Sequence, residues 1–176
     1  MYPPQGYGIA GLINSIPATG IIDADGTSAV GYIDGAETSR NTDIAVVIEA
    51  LAAANRSIII RPGSYTATSE ITLDENDLTL EGYGAIITAV TNTFRDLILI
   101  NAAHRVTIRG LELSGGSGQA ARGIQIQSSD DTLLEDLFIH DFTAIGAPVS
   151  SPARGINFFA SCQRPKLRSI RIQTLR

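Results

Sequence analysis

Three carboxylate-bearing pairs, Asp130-Asp131, Glu135-Asp136 and His140-Asp141, crowd into twelve residues of this chain. Acids that close could work on a glycosidic bond. One carboxyl group protonates the leaving oxygen, and a second, about 5–9.5 Å away, attacks the sugar or activates water. Neighbouring strands and alternate residues along one strand both supply that separation. Each pair also has a plainer explanation. Asp130-Asp131 follows Ser128-Ser129 in a turn signal, where Asp bonds its own backbone. Glu135 stands between bases of neighbouring repeats, and His140 closes a strand, where a His is usually a surface residue. Cys162 is the sole cysteine, so an intrachain disulfide and a thiolate metal cluster are excluded. As a nucleophile it would need His104 or His140 beside it; a small inert residue at a turn is the simpler reading. No phosphate loop, zinc-ligand spacing or nucleophile elbow occurs. Catalytic residues therefore stay unassigned, and neither a cofactor nor a metal is expected.

The elements that must position these residues repeat. Ile98, Ile100, Ile108, Leu111 and Leu113 recur 26 residues later as Ile124, Ile126, Leu134, Leu137 and Ile139. A third copy supplies Ile156 and Phe158, then Leu167, Ile170 and Ile172, and a weaker earlier one places Ile71 and Leu80. The steps from Ile71 are 27, 26 and 32 residues. A period in this range means a solenoid, because one unit buries its apolar face only when a neighbour stacks on it. Each unit alternates apolar and polar residues over short runs, as in Gly123-Ile124-Gln125-Ile126-Gln127, which reads as strand with one buried face. The fold class expected is all-β, a parallel β-helix with strands of successive coils about 4.8 Å apart. The Asn-terminated Leu run of a leucine-rich repeat is absent. Stacking then predicts two outward columns, Arg109–Glu135–Arg168 and Glu112–Phe138–Arg171. They serve packing and solubility, or else a carbohydrate surface in which Arg and Phe meet sugar rings.

Residues 41–55 carry the best helical pattern, with Ile44, Val47, Ile48 and Leu51 on one stripe. Asn41 or Thr42 is the expected N-cap, Asp43 favours the first turn, and Asn55 ends the helix. Ser57-Ile58-Ile59-Ile60 reads as a buried strand stopped by Arg61-Pro62-Gly63. A helix here would plug the apolar end of a solenoid. Ahead of it, residues 1–40 open rich in Pro, Gly and Tyr and are expected to be extended or looped.

The passage Asp34-Gly35-Ala36, Asn41-Thr42-Asp43-Ile44-Ala45, and Ile58-Ile59-Ile60-Arg61-Pro62-Gly63-Ser64-Tyr65 resembles the opening of the pectate-lyase-like superfamily. The likeness continues through Leu78-Thr79-Leu80-Glu81-Gly82 and covers most of residues 21–173. It departs at Gly35–Arg40, where a loop change is expected. The resemblance implies a right-handed β-helix with an N-terminal capping helix. It also implies one of the family's roles: polysaccharide lyase, glycoside hydrolase, epimerase or bacteriophage tailspike.

Charge is uneven: eleven acids and three bases through Val90, then seven acids and ten bases. The late bases Arg164, Lys166, Arg168 and Arg171 alternate with Leu167, Ile170 and Ile172. They are read as outward charges on a coil, so nucleic acid is not an expected partner. No apolar run is long enough to span a membrane. Residues 1–39 lack Lys and Arg, so the cationic start of a secretory signal is missing, and synthesis in a host cytoplasm is expected. The chain stops straight after a strand, and later coils carrying an active site are expected beyond Arg176.

The leading expectation is the N-terminal part of a phage tailspike or tail fibre. Residues 1–40 would be a leader and virion anchor, 41–66 a capping helix and first strand, and 67–176 the coils. Expected partners are host surface polysaccharide and tail or baseplate proteins, in a homotrimer located in the virion. The alternatives are a bacterial polysaccharide lyase or hydrolase, and a structural virion or adhesion module without activity.

Overall fold

The computed structural model describes residues 19–54, 56–90, 96–116, 120–143 and 153–173. Among these, thirteen strands and one helix occur, so the described residues are mostly strand, in an all-β arrangement with one helical element. The N-terminal strands are β1 (Thr19–Asp25), β2 (Ser28–Ile33) and β3 (Ala36–Asn41), followed by α1 (Ile44–Ala52). Then come β4 (Ser57–Ile60), β5 (Gly63–Ala67), β6 (Ile71–Leu73), β7 (Thr79–Ala89) and β8 (Asp96–Asn101). The last are β9 (Thr107–Ser114), β10 (Arg122–Gln127), β11 (Leu133–His140), β12 (Arg154–Phe159) and β13 (Lys166–Gln173).

From β6 onward the chain passes alternately between two sheets. One runs β6-β8-β10-β12, and the other runs β13-β11-β9-β7-β4-β1-β2-β3, with β5 also paired to β7. Every pairing between repeats is parallel, and its register follows the sequence period. Ile71 faces Ile98, Ile98 faces Ile124 and Ile124 faces Ile156. In the larger sheet Leu80 faces Ile108, Ile108 faces Leu134, and Leu134 faces Leu167. These apolar columns point inward and form one continuous core, with Ile98, Ile108, Ile124, Leu134 and Ile139 fully buried. Burial of side chains this size contributes about 1.5–3 kcal/mol each.

The helix lies across one end of that core, with Ile44, Val47, Ile48 and Leu51 buried. Its N-cap is Asp43, not Asn41 or Thr42. The Asp43 carboxylate accepts from Ala45 N–H (3.0 Å), while Asn41 Oδ1 accepts from Asp43 N–H (2.9 Å). The same carboxylate also accepts from Thr68 N–H (3.1 Å), Thr68 Oγ1 (2.6 Å) and Ser69 Oγ (2.7 Å). Burial pushes the Asp43 carboxyl up, yet these bonds from Thr68, Ser69 and Ala45 outweigh it and leave the group below the ordinary carboxylate range. The helix ends at Ala53; Asn55 lies outside the described residues.

Within the segment expected to be extended or looped, residues 19–41 form three strands joined by tight turns. β1, β2 and β3 form an antiparallel meander that joins the large sheet through parallel pairing of β1 with β4. Asp34-Gly35, both at positive φ, make the two-residue turn between β2 and β3. Gly35–Arg40, where only a loop change is expected, is therefore mostly an edge strand. Gly31 lets β2 settle on α1, since a Cβ there would sit 3.0 Å from Val47 Cγ1. Residues 1–18, which include the Pro/Gly/Tyr-rich start, lie outside the described residues.

Candidate functional site

Left-handed residues recur at matched positions in the larger sheet: Gly84, Gly110, Asp136 and Ser169. Each interrupts a strand after the outward charge of its repeat, so β7, β9, β11 and β13 all bend at one level. The bend opens a cleft of about 440 Å³, lined among others by Ile86, Glu112, Asp136, Phe138 and Ser169.

The lining mixes Ala85, Ile86, Leu111 and Leu137 with Glu112, Asp136 and Phe138, and Arg171 and His140 adjoin it through Phe138. Phe138 faces Glu112 on one neighbouring strand and Arg171 on the other. The Arg171 guanidinium carbon sits 4.6 Å from the Phe138 ring centroid, within reach of a cation–π contact. His140 stacks on Phe138, with centroids 4.5 Å apart and planes inclined by 25°. Its Nδ1 lies 2.8 Å from Asp141 Oδ2, and its Nε2 lies 3.1 Å from Glu112 Oε1. Tyr83, half exposed, donates its hydroxyl to Asp136 Oδ2 at 3.1 Å. That bond holds Tyr83 above its ordinary proton affinity. The ring lies flat on Gly110, where a Cβ would meet it at 2.7 Å.

The other sequence-predicted residues have structural duties. Asp131 sits at a left-handed turn position, and Arg164 binds both its oxygens at 2.7 Å. Asp130 Oδ1 accepts from Gln163 N–H (2.9 Å), and its other oxygen lies 3.8 Å from His104 Nδ1. Glu135 stands between Arg109 and Arg168 in register. Arg109 is bound by Glu81 (Nε–Oε2 2.8 Å), whereas Arg168 reaches Glu135 at 3.6 Å. Cys162 is partly buried, with Sγ 3.3 Å from the carbonyls of Ile126 and Phe159. Among the described residues no cluster of three or more His, Cys, Asp or Glu side chains is placed to hold a metal ion.

Of the three pairs, the structure therefore brings Asp136 to the cleft lining and His140-Asp141 into contact with its Glu112. It leaves Asp130-Asp131 on the turns. Sequence reasoning missed Tyr83, Ile86 and Glu70. Tyr83 carries no repeat signal, because its partner Asp136 lies two repeats further on. Glu70 precedes β6 in the smaller sheet, away from the cleft. Burial pushes its carboxyl up, and the adjacent Asp96 adds to the shift. Asp96 is itself buried against Arg122 in an ion pair.

No family model matches this chain, and no curated protein matches it. One solved structure is similar, ORF18 of Geobacillus virus E2, at 13% identity and a TM-score of 0.48. The match covers 66% of this chain and 33% of that one, so this chain spans about a third of its length. Among the described residues no helix is long and apolar enough to cross a membrane.

Proposed function

We propose that the two parallel ladders are faces of a right-handed parallel β-helix capped by α1. Its bent sheet is the glycan-binding surface of a tailspike-type protein. The observation that carries the reading is the outer-face patch of Glu112, Phe138, His140 and Arg171, of which Glu112 and Phe138 line the cleft. A sugar ring offers an apolar face to an aromatic side chain and hydroxyls to carboxylates and guanidinium groups, and this patch offers all three at once. Orientation would come from a few placed polar groups, as in other small-molecule sites. The tailspike assignment is supported by the resemblance of residues 34–82 to the pectate-lyase-like opening. Trimerisation and attachment to a virion rest on that resemblance too.

The test is binding of the purified chain to an array of bacterial surface polysaccharides, followed by titration of the best ligand. Phe138→Ala and Arg171→Ala should each weaken binding by about tenfold or more, the loss of one good contact of roughly 1.4 kcal/mol. Both side chains lie on the outer face, so circular dichroism should be unchanged. Unaltered affinity in both variants would remove the cleft from the reading. Binding without shortening of the polymer would favour adhesion over depolymerisation.

A further inference from the structure

His140 sits between two carboxylates. Its Nδ1 lies 2.8 Å from Asp141 Oδ2, and its Nε2 lies 3.1 Å from Glu112 Oε1. An ionised carboxylate only accepts hydrogen bonds, and a neutral imidazole carries a single N–H. Both contacts are hydrogen bonds at once only when the ring is the imidazolium. After loss of one proton, one ring nitrogen turns a lone pair towards a carboxylate oxygen. That contact becomes repulsive and opens.

The surroundings decide which contact opens. Asp141 follows His140 directly, stands at a left-handed turn (φ 60°) and makes the shorter contact. Glu112 comes from β9, has one more rotatable bond and lines the cleft. Its side chain is 36% exposed, against 17% for His140, whose ring is also stacked on Phe138. Glu112 therefore has room to swing, and the ring does not. In register with His140 stand Ser114 of β9 and Gln173 of β13, neither of which titrates near neutral pH. Arg171 of β13 lies over Phe138 and stays charged throughout. Asp136, the other acid of the lining, is engaged by Tyr83.

We infer that His140 is a proton-operated catch on Glu112, the acid it shares with the cleft. The geometry is that of the closed catch, with the imidazolium bridging Glu112 and Asp141. Opening sends the Nε2 proton to solvent, keeps the Nδ1 proton between the ring and Asp141, and frees Glu112 to accept from a ligand hydroxyl. The catch regulates the patch assigned above to glycan, and its ligand side rests on that assignment. Glycan then binds more tightly once the ring is neutral.

The ring reports on itself without a ligand. In the whole chain, isotope-labelled at histidine nitrogen, both ring nitrogens can be followed by NMR from about pH 5 to about pH 8, where imidazole ordinarily changes charge. His104→Gln tells the two histidines apart. Both nitrogens of His140 should carry protons at the acid end. At the alkaline end Nδ1 should keep its proton and Nε2 should be bare. Glu112→Gln offers an amide N–H to a bare Nε2, so its ring should stay neutral to lower pH than in the wild type. One charge state throughout the range, a bare Nδ1, or the same titration in Glu112→Gln would overturn the inference. The best polysaccharide ligand should bind about fivefold more tightly at the alkaline end, the worth of one hydrogen bond, and His140→Gln should flatten that profile. A flat profile in the wild type would equally overturn it. Should no glycan bind, the reading of the cleft fails, while the ring spectra still decide the catch.

Discussion

Thr132 occupies the interior column that also holds Leu78 and Val106, both fully buried, and it is 1% exposed itself. Its hydroxyl has no hydrogen-bond partner. A buried hydroxyl without a partner costs roughly 1–3 kcal/mol against an apolar group of the same shape. Thr132→Val, which keeps the β-branched outline, should therefore raise stability by about 1 kcal/mol. Urea unfolding checks this: the midpoint should rise with an unchanged slope. A lower midpoint would show that the hydroxyl is bonded in solution. The cleft works by the opposite rule. There Tyr83, Asp136, His140 and Glu112 satisfy one another across repeats, so the polar groups of the bend hold a set geometry before any ligand arrives.

At the scale of elements, Asp43 joins the helix to the strands. Its carboxylate closes the first turn of α1 and holds Thr68 and Ser69 between β5 and β6, so one side chain fixes the plug on the stack. Asp43→Ala should cost about 2 kcal/mol, an N-cap plus buried bonds left unpaired. The pH dependence follows from a folded proton affinity below the unfolded one. The contribution is fully present above the ordinary Asp value and is lost as pH falls through the lower folded value. Chemical unfolding at stepped pH should show the wild-type and Asp43→Ala curves converging on the acid side. A constant gap down to the lowest pH would contradict this assignment.

The sequence points to Asn41 or Thr42 as the cap and to Asp43 in the first turn, whereas the structure makes Asp43 the cap. Asn41, Thr42 and Asp43 can all cap, and the choice is made by Thr68 and Ser69, some 25 residues away. The charge and aromatic columns were legible because a fixed period dictates register: Arg109, Glu135 and Arg168 stack, as do Glu112, Phe138 and Arg171. What the period cannot show is a contact that skips a repeat. Tyr83 meets Asp136 across 53 residues because the backbone bends at Gly84 and Gly110, and no spacing announces that. The meander of β1 to β3 was hidden for a different reason. Its strands lack a period-two pattern: Ser28–Ile33 reads Ser-Ala-Val-Gly-Tyr-Ile with three consecutive buried residues, and Ala36–Asn41 is polar almost throughout.

For the whole molecule, the proposed trimer has a direct test in solution. Light scattering on the purified chain should give three times the 18.6 kDa chain mass. A monomer would remove the trimer from the proposal for these residues without touching the cleft. Assembly of the stack itself faces a hazard common to periodic chains: every repeat offers an apolar column that fits any other. Leaving one repeat out would still match Leu134 to Leu80. In the native order Arg105 binds Asp77, Arg109 binds Glu81 and Arg164 binds Asp131; the omission would lay Asp131 on Asp77 and Glu135 on Glu81, like against like in both columns, at about 0.2–1 kcal/mol for each clash. Only an even number of omissions would escape the penalty. The charges thus act as a parity check on the order of assembly, and a chain that miscounts by one is returned to solution to try again.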